Sequence, residues 1–314
     1  MTEVLKANVY SRRLKLMGNR FEFSVVAEDG VWAQERIAEA IDEVSRIEKL
    51  LTTYNESSQT NQINEQAGVA SVMVDREVFD LIERSLRISS LTQGAFDITY
   101  GSIDKRLWNF DKNMVSLPDK QTAQAMVRLI DFRNVILDSG NLSVFLKEKG
   151  MRIGFGGIGK GYAADRARNV MQNAGVKSGI VNAAGDLTVW GRQPNDEAWT
   201  IGIADPDKKE LPFGSLKLTN ISVATSGNYE KYVIIDGIKY SHTINPKTGY
   251  PVRGIKSVSM ICPSAEFADA MATPVMVMGI KAGMHLVNQI KDLACIIIDD
   301  DDNIYTSRNV NLTT

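Results

Sequence analysis

Between residues 135 and 300 the chain reads as short apolar runs joined by turns that contain Gly or Asp. The runs are VILDSGNLSVFL, IVNAAGDLTVW, TIGIAD, GSLKLTNISVAT, YVIIDGIKYSH, KSVSMIC and LACIIIDDD. Turns this short join strands that run in opposite directions, whereas parallel strands need a long crossover. Helical spacing interrupts the series only at about 160–174 and 264–292. The pattern therefore predicts an α+β fold of antiparallel sheets with flanking helices, and argues against regular βαβ alternation.

The first part of the chain is mixed. KLMGNRFEFSVVAED predicts a strand, with Phe21, Phe23 and Val25 alternating along it. From Trp32 to Leu51, apolar residues recur at Ile37, Ala40, Ile41, Val44, Ile47 and Leu51, which is helical spacing. TTYNESSQTNQINEQAG is polar and turn-rich, and predicts a surface loop with about one helical turn. A second helix is expected from about Asp75 to Leu91. A third is expected near Ser116-Leu-Pro-Asp119, with Ser116 as its cap and Pro118 in its first turn. No repeat or Pro/Gly/Ser-rich linker divides the 314 residues, so one domain over 1–314 is expected.

Composition matters mainly for what it excludes. A formal net charge of −2 gives no electrostatic case for a nucleic-acid partner. Two cysteines, Cys262 and Cys295, support neither a disulfide framework nor a zinc site and read as buried thiols. The first twenty residues contain no apolar signal core, and no stretch reaches the ~20 apolar residues of a membrane span. The chain as given reads as soluble.

Two segments carry chemistry. Gly154-Phe-Gly-Gly-Ile-Gly159 matches the pattern of a dinucleotide-binding loop, but the nearest candidate acid, Asp186, comes too late. Gly154 through Lys160 nearly matches a phosphate-binding P-loop, but Gly161 stands where Ser or Thr is required. What survives is bare backbone, a helix start and one ammonium, which together attract an anion. A plain strand-to-helix turn with an exposed lysine fits the same residues. In ADAMATPVMVMG, Asp269 and Thr273 lie four residues apart on one helical face and offer two oxygens to a hard cation. A solvated Asp with Thr as a spacer fits equally. Pro274 is expected to kink or break that helix. Of the two histidines, His285 falls inside a helix and reads as structural. His242 ends a strand before the turn Asn245-Pro-Lys-Thr-Gly249, where either a catalytic base or a turn hydrogen bond fits.

In order and spacing these motifs resemble the ApbE-type flavin transferases. The resemblance runs from about Leu16 to Gly279. It includes Met17-Gly18, Tyr54, GAFDITYG followed by Trp108, GGIGKGYAADRA, NAAGDLTVWG, ATSGNYEKY, SHTINPKTGYPV and ADAMAT. It implies a T-fold-related α+β architecture, with FAD in a cleft between an N-terminal part (about 1–115) and a larger C-terminal part (about 116–314). It also implies a magnesium-dependent reaction. FAD is the substrate, its pyrophosphate is split, FMN passes to a threonine or serine hydroxyl of an acceptor flavoprotein, and AMP leaves. By motif position, Asp269, Thr273 and the carbonyl of Gly159 match the metal ligands. Met17, Tyr54, Ala95, Phe96, Asp97, Lys160, Asp165, Thr225, Ser226 and Gly227 match FAD-contacting segments, and His242 matches the base.

The chain departs from the family's pattern in three places. Gly154 replaces an Asp, NxGGD becomes Asn182-Ala-Ala-Gly-Asp186, and DPRTG becomes Asn245-Pro-Lys-Thr-Gly249. Many members carry a lipobox and this chain has none. A cytoplasmic protein is the first expectation, and an exported, membrane-anchored one whose leader has been removed is the second. Water as acceptor would make the same site an FAD pyrophosphatase. A non-catalytic flavin-binding protein is a further alternative, against which His242, Asp269 and Thr273 argue.

Overall fold

The antiparallel runs join into one large sheet and three small ones. In the computed structural model, residues 7–107, 116–204, 212–228 and 232–310 are described; Trp108 and residues 229–231 of ATSGNYEKY lie outside them. In chain order the N-terminal half comprises β1 (Asn8–Leu16), β2 (Asn19–Ala27), α1 (Gly30–Leu51), α2 (Gln59–Glu65), β3 (Val72–Met73), α3 (Arg76–Leu91), a 3-10 turn at Ile98–Ser102, α4 (Lys120–Met126), β4 (Val135–Asp138) and β5 (Ser143–Leu146). There follow α5 (Gly159–Asn173), β6 (Gly179–Ala183), β7 (Asp186–Trp190), β8 (Trp199–Ala204), β9 (Pro212–Leu218), β10 (Ile221–Gly227), β11 (Tyr232–Ile235), β12 (Ile238–Ser241), β13 (Ile255–Cys262), α6 (Ala265–Met278), α7 (Ile280–Val287), β14 (Ala294–Asp299) and β15 (Ile304–Thr306).

The main sheet has eight strands in the order β1-β2-β6-β7-β10-β13-β14-β15, and each recorded pairing is antiparallel. Strand alternation gives it two different faces. Phe21, Phe23, Val181, Ala224 and Met260 join the core built with helices α1, α5 and α6. Within that core Ile37, Val44 and Ile47 of α1 are fully buried, each stabilising the fold by about 1.5–3 kcal/mol. On the other face Leu187, Val189, Val223 and Ile296 lie under Trp199, Ile201 and Leu216 of the β8–β9 hairpin. A third apolar cluster joins Met126 and Val127 to Val233, Ile235 and Tyr240 of the β11–β12 hairpin.

Ion pairs tie the helix layer together. Arg46 bonds Glu43 at 2.8 Å and reaches Glu77 on α3 at 2.7 Å, Arg166 on α5 bonds Glu43 at 2.8 Å, and Arg84 on α3 bonds Glu266 on α6 at 2.6 Å. The hydrogen bonds from Arg46 hold both Glu43 and Glu77 below the usual glutamate range.

Several sequence expectations need correction. The stretch KLMGNRFEFSVVAED is split by a turn, because Met17 and Gly18 adopt positive φ (49° and 73°) and fold β1 back on β2. Helix α4 starts at Lys120, after both Ser116 and Pro118; Asp119 is its cap, accepting from the Thr122 N–H at 2.9 Å. Pro274 sits inside α6 without ending it. The break comes at Gly279, whose φ of 80° no β-substituted residue adopts readily, and separates α6 from α7. The predicted one-turn loop helix is α2, capped by Ser58. Cys262 and Cys295 are buried free thiols, and burial raises them to about 11 and about 12.

Candidate active site

The glycine segment delivers Lys160 to the start of α5, where the preceding residue, Ile158, provides no side-chain cap. Of its first three N–H groups, that of Gly159 turns back to the Phe155 carbonyl at 2.7 Å, which leaves those of Lys160 and Gly161. One is used at once: Gly161 N–H donates to Asp269 Oδ2 at 3.0 Å. Glycine is required there by crowding, since a Cβ would fall 2.1 Å from the Ala265 carbonyl oxygen and 2.8 Å from the Asp269 Cβ. Helices α5 and α6 touch at this point, which sets Lys160 beside Asp269.

The Lys160 ammonium is shared. It bonds Asp186 closely and lies 3.3 Å from Asp269 Oδ1. Asp186 reaches this position by alternation. It opens β7, and Leu187 and Val189 turn to the hairpin face, so Asp186 points to the helix face. Its Oδ1 accepts from the Thr225 N–H at 3.2 Å. Both carboxylates are buried. Burial pushes the Asp186 carboxyl up, the charge of Asp269 adds to the rise, and Lys160 offsets part of it. Burial alone would lower the Lys160 pKa, but Asp269 and then Asp186 outweigh it and hold the ammonium above the ordinary lysine value.

Hydroxyls complete the cluster. One turn beyond Asp269, Thr273 Oγ1 lies 3.1 Å from Ser226 Oγ, while Thr225 Oγ1 lies 2.8 Å from Ser259 Oγ on β13. Among the described residues no three His, Cys, Asp or Glu side chains gather into a ready cation site. The donors here are instead carboxylate and hydroxyl oxygens, and with both carboxyls ionised, the state a bound cation favours, one net negative charge is left against the single ammonium. That surplus and the all-oxygen donor set fit a hard divalent cation such as magnesium, which completes its shell with waters or ligand oxygens.

The remaining predicted residues fall into three groups. Met17 and Phe96 border the glycine segment, with the Met17 methyl 3.6 Å from where a Cβ on Gly159 would lie and the Phe96 ring 3.5 Å from where one on Gly157 would lie. Ala95 is buried next to Phe96, Tyr54 is almost fully exposed and open to a ligand ring, and Gly227 closes β10. Asp97 and Asp165 are occupied by the fold. Asp97 accepts from Thr99 N–H and hydroxyl and from Phe132 N–H, while Asp165 accepts from the Ser264 hydroxyl and Glu266 N–H at the start of α6. His242 is exposed just after β12. Its loop is pinned on two sides: Ile244 N–H donates to Tyr100 Oη at 3.0 Å, and Gly249 packs so tightly on α4 that a Cβ would lie 1.9 Å from the Ala123 carbonyl oxygen. His285 is exposed near the end of α7. A surface depression of about 630 Å³ lined by Arg46, Lys49, Asn55, Gln59 and Asp75 contains none of the predicted residues.

Asp186 enters the sequence reading as a rejected nucleotide-loop acid and as the last residue of the NAAGD segment, with no site role given to it. Its one usable signal was the Gly185-Asp186 turn at the head of an alternating strand.

Comparisons with known proteins identify the family. The sequence profile described as the ApbE family matches residues 17–297. An FAD:protein FMN transferase of Klebsiella pneumoniae is 33% identical over 302 residues, covering 95% of this chain and 92% of that protein. One of Treponema pallidum is 30% identical over 278 residues, covering 84% of this chain and 76% of that protein. The crystal structure of the ApbE protein of Thermotoga maritima superposes with a TM-score of 0.85 at 30% identity, covering 96% of this chain and 97% of that one. The apo flavinyl transferase ApbE of Pseudomonas stutzeri shares the fold with a TM-score of 0.85 at 24% identity, covering 98% and 97%. The chain belongs to the ApbE family.

Proposed function

We propose that this chain is an enzyme that transfers FMN from FAD to a threonine or serine hydroxyl of an acceptor flavoprotein, with magnesium as cofactor and AMP as leaving product. The observation that carries the reading is the Lys160 ammonium held between Asp186 and Asp269 at the first turn of α5, which sets a cationic group suited to phosphate beside carboxylate oxygens suited to a hard cation. The family's relatives named FAD:protein FMN transferase support the choice of substrate.

In this reading FAD lies in a cleft between the N-terminal and C-terminal parts. Met17, Tyr54 and Phe96 supply apolar surface for its rings. Lys160 binds the pyrophosphate through its ammonium, with its own backbone N–H at the start of α5 beside it. Asp269, Thr273 and the Gly159 carbonyl would hold the magnesium, which when bound offsets phosphate charge and orients the phosphorus for attack. The acceptor oxygen forms a bond to the FMN phosphorus, the P–O–P link breaks, and AMP departs with the bridging oxygen. His242 takes the hydroxyl proton, since a free alcohol is a poor nucleophile. The exposure of His242 favours a macromolecular acceptor, because a protein segment can reach it without opening the core.

The test is incubation with FAD, Mg2+ and a threonine-containing peptide, read by mass spectrometry. An FMN–peptide phosphoester and AMP are expected. Free FMN and AMP alone would replace the reading with a pyrophosphatase, and intact FAD that is bound but unreacted would replace it with a flavin-binding protein.

A further inference from the structure

Each carboxylate of the buried cluster is fixed from behind. Asp269 commits Oδ2 to the Gly161 N–H, and Asp186 commits Oδ1 to the Thr225 N–H, at 3.0 and 3.2 Å. Each then turns its other oxygen to the same ammonium. The backbone donors belong to a helix start and a central strand, so the carboxylates are held rigidly. The movable part is the four-carbon side chain of Lys160. Two carboxylates for one ammonium is more negative charge than Lys160 needs, and the second one, Asp186, has no place in the metal-ligand set above.

From this geometry we infer that Asp186 is a positioning residue that lets Lys160 and the metal exchange places on Asp269. The inference rests on the proposed metal reading of the site. Without metal, the ammonium occupies the open oxygen of Asp269 and neutralises it. A divalent cation arriving there repels the ammonium at short range. With Asp186 opposite, Lys160 keeps one carboxylate, releases the other, and remains beside the phosphates. Without Asp186, Lys160 holds Asp269 as its sole counter-ion and competes with the metal for it. Asp186 thus touches neither metal nor phosphate, and acts through the place it gives Lys160.

The experiment uses the full chain, Mg2+ as the calorimetric probe without FAD, and crystal structures with and without Mg2+. In the loaded wild type, Lys160 Nζ is expected within hydrogen-bond distance of Asp186 and beyond 4 Å from Asp269, compared with 3.3 Å without metal. Asp186→Asn, nearly isosteric, is expected to weaken Mg2+ binding at least about tenfold, the usual scale for residues that orient a metal site without ligating it. Asp186→Asn combined with Lys160→Met is expected to return affinity to within about threefold of wild type, because the competitor is gone; a residue needed only for folding would not be rescued by a second substitution. Nζ still bonded to Asp269 in the loaded crystal, unchanged affinity in Asp186→Asn, or a double variant no better than the single one would each overturn the inference while leaving the metal reading intact. A wild-type chain that binds no Mg2+ would remove the metal reading and the inference with it.

Discussion

The Lys160–Asp186–Asp269 cluster and the His242 loop are built in opposite ways. The cluster is buried between two helices and the centre of an eight-stranded sheet, with its carboxylates anchored by backbone N–H groups. The His242 loop follows a two-stranded sheet; His242 itself is exposed, while Thr243, Ile244 and Gly249 beside it are buried and backbone hydrogen bonds to Tyr250 and Val252 hold the loop. Under the proposed function the difference follows from what each would meet. Charges that hold phosphate and metal act more strongly where water is excluded. A base that takes a proton from another protein has to stay on the surface.

The sharpest test removes the buried carboxylate. Asp269→Ala is expected to abolish transfer and magnesium binding, since several kcal/mol of charge stabilisation corresponds to at least about 10³-fold in rate; Thr273→Ala should be milder because water can replace a hydroxyl. Turnover measured at limiting Mg2+ decides, and wild-type rates in Asp269→Ala would break the contrast. His242→Ala should slow transfer by about 10²–10⁴-fold while leaving FAD affinity in place, with partial recovery as pH rises and hydroxide replaces the base. Lost FAD binding would instead make the two regions one site. Gly161→Ala should cost about 3 kcal/mol of stability through overpacking between α5 and α6, read as a lowered Tm. Lys160→Ala should weaken FAD binding about tenfold or more and riboflavin binding little, because its partner is the pyrophosphate.

The smallest effect concerns the surface of the helix layer. Arg46→Met should cost about 0.5–1 kcal/mol near neutral pH, the scale of a partly exposed ion-pair network. Glu43 and Glu77 have folded-state pKa values below their unfolded ones. Their contribution is therefore present above the ordinary glutamate pKa of ~4.3 and is lost as pH falls through the folded values. Urea unfolding of both proteins from pH 7 down to pH 3 should show the gap closing; a constant gap would mean that Arg46 acts by packing.

Local signals were legible in the sequence and long-range ones were not. Helix α1 and the strands from β4 to β14 are amphipathic or fully buried, so their periodicity announces them. β1 is an edge strand with mostly exposed residues, and its sequence, NVYSRRLKL, carries little alternation to read. Pro274 misled because its cost is local while α6, packed among buried neighbours, continues through it. Lys160, Asp269 and Thr273 were marked by spacing within their own segments. Asp186 was not, because its meaning comes from Lys160, which β7 meets only in three dimensions. Asp97 and Asp165 show the converse: both lie in motifs, yet their carboxylates are committed to caps and turns.

The contact of Gly161 with α6 also bears on how the protein is made. A P-loop takes its lysine and one metal-binding hydroxyl from adjacent residues of one short segment. Here the position after Lys160 has no room for a side chain, and its N–H instead meets a carboxylate oxygen of Asp269, 108 residues further on. The site is assembled only when the last long helix docks on the first glycine turn of α5. A nascent or clipped chain that stops short of α6 has the glycine loop and the lysine but half of the charge balance. Under the proposed function FAD binding becomes a readout of finished folding, and a truncation before residue 265 should discard it even where the remaining sheet survives.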